Sequence, residues 1–160
     1  MLVTPLQTVA LVGLRLTLGW MMLYAGITKV LNPEWSAAGF LNSAKTFPEF
    51  YAWFAQPHIL PYTNLLNEWG LTIVGAMLIL GIGVRLASVL GVAFMLLYYF
   101  PPLEFPYPNT HAYVVDEHII YAFGFLVLWT LRAGRVWGLE RWVARLPFIA
   151  QSSFLRRLLS

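Results

Sequence analysis

The chain has 160 residues, of which 59% are hydrophobic and only 11% are charged, and its formal net charge is +3. This composition excludes an ordinary soluble domain and indicates one compact membrane protein. The sequence contains no cysteine, which excludes disulfides, thiolate metal sites, iron–sulfur clusters and CxxC redox pairs. Electron chemistry would therefore have to use a bound organic molecule or another subunit.

The first apolar stretch, residues 6–31, is long enough to cross a bilayer yet carries two cations. Helical spacing places both cations on one narrow face of roughly 80° together with small residues. The members of this face are Arg15, Gly19, Met22, Gly26 and Lys29. Cations facing lipid would cost several kcal/mol, so we expect this face to meet other helices or a polar cavity. Its glycines would let neighbouring helices approach closely.

Hydropathy predicts an all-α integral membrane protein built as a four-transmembrane-helix bundle. The predicted helices lie at about 5–31, 67–84, 86–100 and 116–132, and they form a transmembrane domain over 1–133. We expect no cleavable signal peptide, because the N-terminus lacks a basic segment. The residues that follow, 134–160, predict an amphipathic basic tail on the inner leaflet.

Charge is distributed unequally between the two sides of this predicted bundle. The side that carries the tail holds eight cations against Glu140, a net charge of +7, whereas the other side holds two lysines against six acids, a net charge of −4. Lysine and arginine accumulate on the cytoplasmic side of membrane proteins. We therefore predict a multi-pass protein of the cell membrane with both termini cytoplasmic.

The outer loop, 32–66, is rich in aromatic residues and predicts short interfacial helices. Asn32 is expected to cap a first helix that runs to about Lys45. Residues 46–49, Thr-Phe-Pro-Glu, predict a capping box that opens a second helix. Pro61, with Pro57, is expected to break the chain before the next span.

Glu68 lies at the predicted start of the second span, at the same depth as Lys29. It could bind a ligand or proton, be stabilised by the helix N-terminus, or form an interhelical ion pair with Lys29. The ion pair is the favoured interpretation, and such a pair could still shape a site.

Three titratable groups, Asp116, Glu117 and His118, precede the last apolar span. Asp116 is expected to cap the helix, but a cap explains neither Glu117 nor His118. Ionisable groups at membrane depth are functional by default. With Tyr121, on the same face as Glu117, they could supply the donor, acceptor and aromatic groups that a quinone headgroup needs.

Arg15 lies in the inner half, whose only acid is Glu140, so no salt bridge within the bundle is expected. It could snorkel to lipid phosphates, cap backbone carbonyls or bind a ligand; snorkelling is the commonest outcome, although the glycine face argues against lipid. The histidines indicate neither haem, since no second one lies within a span, nor zinc, since they lack ligand spacing. No metal site is predicted.

Three segments resemble the DoxX/DoxD family: RLTLGWMMLYAGITKVLNP (15–33), NEWGLTIVGAMLILGIGVRLAS (67–88), and YPNTHAYVVDEHIIYA with RAGRVWGLERW (107–142). The likeness covers roughly residues 11–142. It is strongest to the DoxD branch, the small subunit of thiosulfate:quinone oxidoreductase, which the outer-loop run AAGFLNSAKTFPEFYAWFAQP (37–57) also resembles. The family motif positions in this sequence are Arg15, Lys29, Glu68, Arg85, Asp116, Glu117 and His118.

The resemblance implies a membrane subunit that passes electrons from thiosulfate to quinone with a DoxA-like second membrane subunit. The predicted catalytic residues are Glu68, Glu117 and His118. The predicted quinone-binding residues are Arg15, Lys29, Asp116 and Tyr121. Quinone is the expected ligand, without haem, iron–sulfur cluster or metal, and the partners are the lipid bilayer and the second subunit, with no nucleic acid.

Two other functions stay open at this point. A non-catalytic anchor or assembly subunit would use the same charges only to pair helices. A small-solute or proton-coupled transporter fits less well, because no span is interrupted by glycine and proline at mid-membrane. Homo-oligomerisation is also open.

Overall fold

The computed structural model describes residues 4–143, 145 and 151. In these residues the fold is all helical, and the β-type pairing is confined to two isolated bridges in the loop before α6. The α-helices are α1 (Pro5–Val30), α2 (Ala38–Asn42), α3 (Pro48–Phe54), α4 (Leu60–Leu80), α5 (Val84–Tyr99), α6 (Glu117–Thr130) and α7 (Glu140–Val143). A 3-10 helix, Ala133–Arg135, connects α6 to α7.

The four long helices form a bundle in which α1 packs mainly along α4 and α5 mainly along α6. Glycines set the spacing of the first pair. A Cβ atom at Gly26 would lie 2.4 Å from the backbone nitrogen of Thr72, and one at Gly75 would lie 2.2 Å from that of Leu23. The predicted inward face of α1 is confirmed by its buried residues Arg15, Gly19, Met22 and Gly26.

The outer surface of these helices is apolar. Trp20, Ile120 and Phe123 are each more than 60% exposed, which suits lipid and would be a liability in water. α1 and α4 are long and apolar enough to cross a membrane, whereas α5 and α6 are shorter apolar helices of 16 and 14 residues. A helix of that length reaches only about 21–24 Å, less than the hydrocarbon thickness of about 30 Å. The fourfold crossing and the orientation of the termini stay predictions.

The second long helix begins earlier than predicted. α4 starts at Leu60, and Pro61 lies in its first turn instead of breaking the chain. Proline is compatible with this position because the first turn of a helix does not use its N–H groups. The α4–α5 turn places Gly81 and Gly83 at φ +66° and +59°, a left-handed conformation that glycine adopts without strain.

The outer loop also differs from its prediction. No helix starts at Asn32; its Oδ1 accepts a hydrogen bond from the backbone N–H of Glu34 at 3.2 Å, as in an Asx turn. The capping box is wrong, because α3 follows Phe47 and has no side-chain cap. The Thr46 hydroxyl instead donates to the carbonyl oxygen of Leu103 at 2.6 Å, which joins this loop to the 101–115 loop.

The two ends of the bundle are named here by their predicted orientation. The outer end carries α2, α3 and the 101–115 loop. The inner end carries the α4–α5 turn, the 3-10 helix and α7, which is tied to α4 because Glu140 N–H donates to the carbonyl oxygen of Gly81 at 2.9 Å. The predicted tail beyond residue 143 lies almost entirely outside the described residues.

Candidate functional site

The outer end contains a cavity of about 480 Å³ beneath α2 and α3. This volume falls within the range of small-molecule sites. Aromatic and aliphatic side chains form most of the wall, among them Trp35, Phe40, Tyr51, Trp53, Phe54, Phe94 and Leu97. Two further wall residues on α4, Tyr62 and Leu66, are 73% and 63% exposed, so the cavity reaches the surface of the bundle beside α4.

Lys29 provides the charge in this cavity. Its half-buried ammonium donates one hydrogen bond, at 2.7 Å, to the carbonyl oxygen of Ala25 one turn earlier in α1. The Nζ atom lies 5.4 Å from the ring centroid of Trp35, within cation–π range. An ammonium has three donors, and Ala25 takes one of them. The others are available to an acceptor in the cavity.

Asn67 and Tyr98 form the second polar group of the wall. The Tyr98 hydroxyl donates to Asn67 Oδ1, which occupies the amide oxygen and leaves the NH₂ group as a donor. The Tyr51 hydroxyl is already directed to the carbonyl oxygen of Leu97, at 3.2 Å. None of the described lining residues is acidic. The cavity therefore offers hydrogen-bond donors and suits a flat ligand with acceptor oxygens.

Asp116 caps α6, as predicted. Its Oδ1 accepts from the backbone N–H groups of His118 and Ile119 at 2.9 and 3.3 Å, and its Oδ2 lies 2.8 Å from His118 Nδ1. The His118 ring is 6.3 Å from that of Tyr98, centroid to centroid. His118 is therefore one side chain removed from the cavity.

Glu117 is exposed and Tyr121 is half-buried against the hydrophobic core, and neither lines the cavity. Donor atoms of Asp116, Glu117 and His118 lie within 4.8 Å of one another. Both Asp116 oxygens are already engaged with α6, so this arrangement is first of all a helix cap. That no metal binds here stays a prediction.

The favoured ion pair between Lys29 and Glu68 is not formed in the described part of the chain, where Lys29 bonds within its own helix. Because α4 begins at Leu60, Glu68 lies in its third turn and not at its start. The backbone oxygen of Glu68 would lie 2.9 Å from a Cβ atom at Gly26, and it accepts the Thr72 hydroxyl. Glu68 does not line the cavity.

Arg15 lies at the inner end, roughly 21 Å along α1 from Lys29, so the two cations do not share one site as expected. It is only 2% exposed and donates to the carbonyl oxygens of Ala133, Val136 and Trp137 at 2.6, 2.7 and 3.1 Å. Of the three alternatives, it caps backbone carbonyls. Snorkelling, the commonest outcome, is wrong here.

Glu140 is buried beside Arg15, which the sequence did not indicate. Its Oε1 lies 3.8 Å from Arg135 Nε. Burial raises the pKa of Glu140, and the charges of Arg135, Arg85 and Arg15 oppose that rise. Glu140 therefore lies within the field of three arginines at the inner end.

Sequence reasoning missed the cavity residues Trp35, Asn67 and Tyr98. Trp35 stood in the aromatic outer loop, but its contact with Lys29 depends on how that loop folds back. Asn67 precedes Glu68, and adjacent helical residues point about 100° apart. Which of the two faces the cavity depends on how α4 packs against α1 and α5, and the polar pair Asn67–Tyr98 is separated by 31 residues.

The DoxX family model matches residues 10–101 of this chain. The match includes Lys29, Asn67 and Tyr98, whereas α6 with Asp116 and His118 lies beyond it. No curated protein and no solved structure is significantly similar to the chain. Since the family model covers more than half of the 160 residues, and the apolar helices agree with a membrane protein, the chain belongs to the DoxX family.

Proposed function

We propose that this chain is the quinone-binding membrane subunit of a thiosulfate:quinone oxidoreductase-like complex. The observation that carries the proposal is the aromatic outer cavity with donors from Lys29 and Asn67. A quinone ring is flat and apolar and carries two carbonyl acceptors, which match these walls and these donors. The exposed Tyr62 and Leu66 mark an opening through which an isoprenoid tail could extend into lipid.

The cavity favours quinone over thiosulfate as the ligand of this chain. A dianion in a mostly apolar hollow with one cation would lose more hydration energy than it regains. In the proposed reaction two thiosulfate ions join through a new S–S bond as tetrathionate and release two electrons. Quinone takes up these electrons and two protons to become quinol. We assign the sulfur site to a DoxA-like partner subunit.

The predicted catalytic residues Glu68, Glu117 and His118 are the candidate proton donors in this proposal, although Glu68 and Glu117 do not line the cavity and would have to act through other groups. His118 is the best placed, because its ring neighbours Tyr98 on the cavity wall. Asp116 holds its Nδ1 at 2.8 Å and would fix the orientation of the ring. This geometry supports His118 as the group that passes protons from the outer surface to the bound quinone.

Titration of a short-chain quinone into the purified chain in lipid nanodiscs tests the site. Lys29→Gln removes a charged hydrogen bond worth about 1.5–3 kcal/mol, so we expect binding at least about tenfold weaker. Lys45→Gln is the matched control: it removes one outer lysine that is 59% exposed and paired with Glu104. Equal quinone affinity in wild type and Lys29→Gln would overturn the assignment.

Thiosulfate-dependent quinone reduction in membranes tests the role in the complex. In a redox subunit, His118→Ala and Glu68→Gln lower turnover per assembled complex. In the alternative, a non-catalytic anchor, the same substitutions lower the yield of complex and leave turnover unchanged. The rate of quinone reduction divided by the amount of assembled complex distinguishes the two functions, because this quotient falls only in a redox subunit.

A further inference from the structure

A second groove, of about 850 Å³, lies at the inner end between α1 and α6. The two helices touch at Gly124, where a Cβ atom would lie 3.1 Å from Leu18 Cδ1. From this contact towards the inner end, the two helices leave a groove between them. Its apolar walls are formed by Leu11, Leu14, Val127 and Leu131. The apolar walls of this groove match the chemistry of a lipid acyl chain.

The rim of the groove is cationic. Arg132 and Arg135 both line it and are exposed. Arg135 pairs with Glu140 at 3.8 Å, but Glu140 is 1% exposed and also interacts with the charges of Arg15 and Arg85. Gln7, on the opposite wall, uses its amide oxygen to accept the backbone N–H of Thr4 and keeps its NH₂ donors. The rim therefore presents donors and positive charge where a headgroup would lie.

The turn after α6 places both arginines on this rim. Arg132 follows Leu131, the C-cap residue of α6, and adopts the left-handed conformation, with φ +49° and ψ +51°, in which helices commonly end. The chain then enters the 3-10 helix that carries Arg135. The end of α6 therefore brings two cations to the same end of the groove.

We propose that this groove binds one anionic phospholipid, with an acyl chain between α1 and α6 and the phosphate between Arg132 and Arg135. Basic pockets between membrane helices on the cytoplasmic side have the charge that such headgroups require. This site is separate from the outer cavity and does not depend on the proposed quinone function.

Native mass spectrometry of the delipidated chain, with phosphatidylglycerol or phosphatidylcholine added back, tests the proposal. We expect one tightly bound phosphatidylglycerol and no retained phosphatidylcholine. Arg132→Gln should weaken phosphatidylglycerol binding about fivefold, the effect of one cation at a membrane surface. Lys45→Gln, an outer lysine, should leave it unchanged.

Ala10→Trp tests whether an acyl chain occupies the groove, and it does so without altering the charge of the rim. Ala10 lines the groove and is exposed, so tryptophan can fill the space without disturbing the core. We expect loss of the bound phosphatidylglycerol at unchanged thermal stability of the lipid-free chain. Equal binding of both lipids, competition by inorganic phosphate, or retained binding in Ala10→Trp would each overturn the proposal.

Discussion

The two ends of this bundle differ in how they surround a cation of α1. At the inner end Arg15 is buried and three backbone carbonyls surround its guanidinium. At the outer end Lys29 is half-buried, has one carbonyl partner and borders a cavity of about 480 Å³. A buried cation that donates to three carbonyl oxygens of the fold stabilises the fold. A cation with donors left over beside a hollow is available to a ligand.

The two ends also differ in how closely their segments pack. At the inner end glycines bring main chains together: a Cβ atom at Gly138 would lie 2.2 Å from the carbonyl oxygen of Gly134 and 2.8 Å from that of Gly81. At the outer end aromatic side chains of α2 and α3 leave space between them. Close packing fixes one arrangement of charges, whereas the outer hollow can accept a molecule.

The largest expected effect is on stability, from Arg15→Gln. The substitution leaves carbonyl groups without a donor and Glu140 with one fewer cation, which costs about 3–5 kcal/mol for a buried charge network. Lys29→Gln should cost less, about 1.5 kcal/mol, because it breaks one charged hydrogen bond at a half-buried position. Denaturant unfolding in detergent measures both. Equal losses would break the contrast between the two ends.

The next largest loss of stability is expected from Gly138→Ala. Its Cβ atom would meet backbone oxygens that cannot move without shifting α7 or the α4–α5 turn. Overpacking of this kind costs about 1–3 kcal/mol. Gly13→Ala is the control, since a Cβ atom there meets nothing within 4 Å, and alanine should stabilise the helix slightly. Melting temperatures of the two variants, read side by side, test the close approach.

Glu140 predicts a smaller, pH-dependent effect. Burial raises its folded-state pKa above the ordinary value of 4.5, so the folded chain binds its proton more tightly than the unfolded chain. The stabilisation is complete below pH 4.5 and is lost as pH rises through the folded pKa. Arginine does not titrate in this range, so Glu140→Gln should flatten the curve of melting temperature against pH. A curve of unchanged slope would contradict the burial of this carboxylate.

The smallest effect is expected at Lys45 and Glu104. Their ion pair, at 3.1 Å, joins side chains that are 59% and 68% exposed. Exposed pairs contribute about 0–1 kcal/mol. Lys45→Gln should therefore change neither unfolding nor ligand binding, which is what qualifies it as the control for Lys29 and Arg132.

Helix geometry and charge were predictable where they depend on neighbours in the sequence. The inward face of α1 follows from spacing of three and four residues, and the Asp116 cap follows from a short acid before an apolar run. The predicted start of the second span failed because proline suggests a break, whereas Pro61 occupies a first turn that needs no N–H. The capping box at Thr46 failed because its hydroxyl has a better partner in a distant loop, at Leu103.

The sequence by itself determined the helical class, the apolar outer surface and the presence of a cationic stripe on α1, since each depends on composition or on short-range periodicity. Only the tertiary structure decided which cation is satisfied and which borders a hollow. The partners of Arg15 lie 118 to 122 residues away, and the walls around Lys29 come from four other helices and a loop. Local spacing cannot reveal such contacts, because they form only when distant segments pack together.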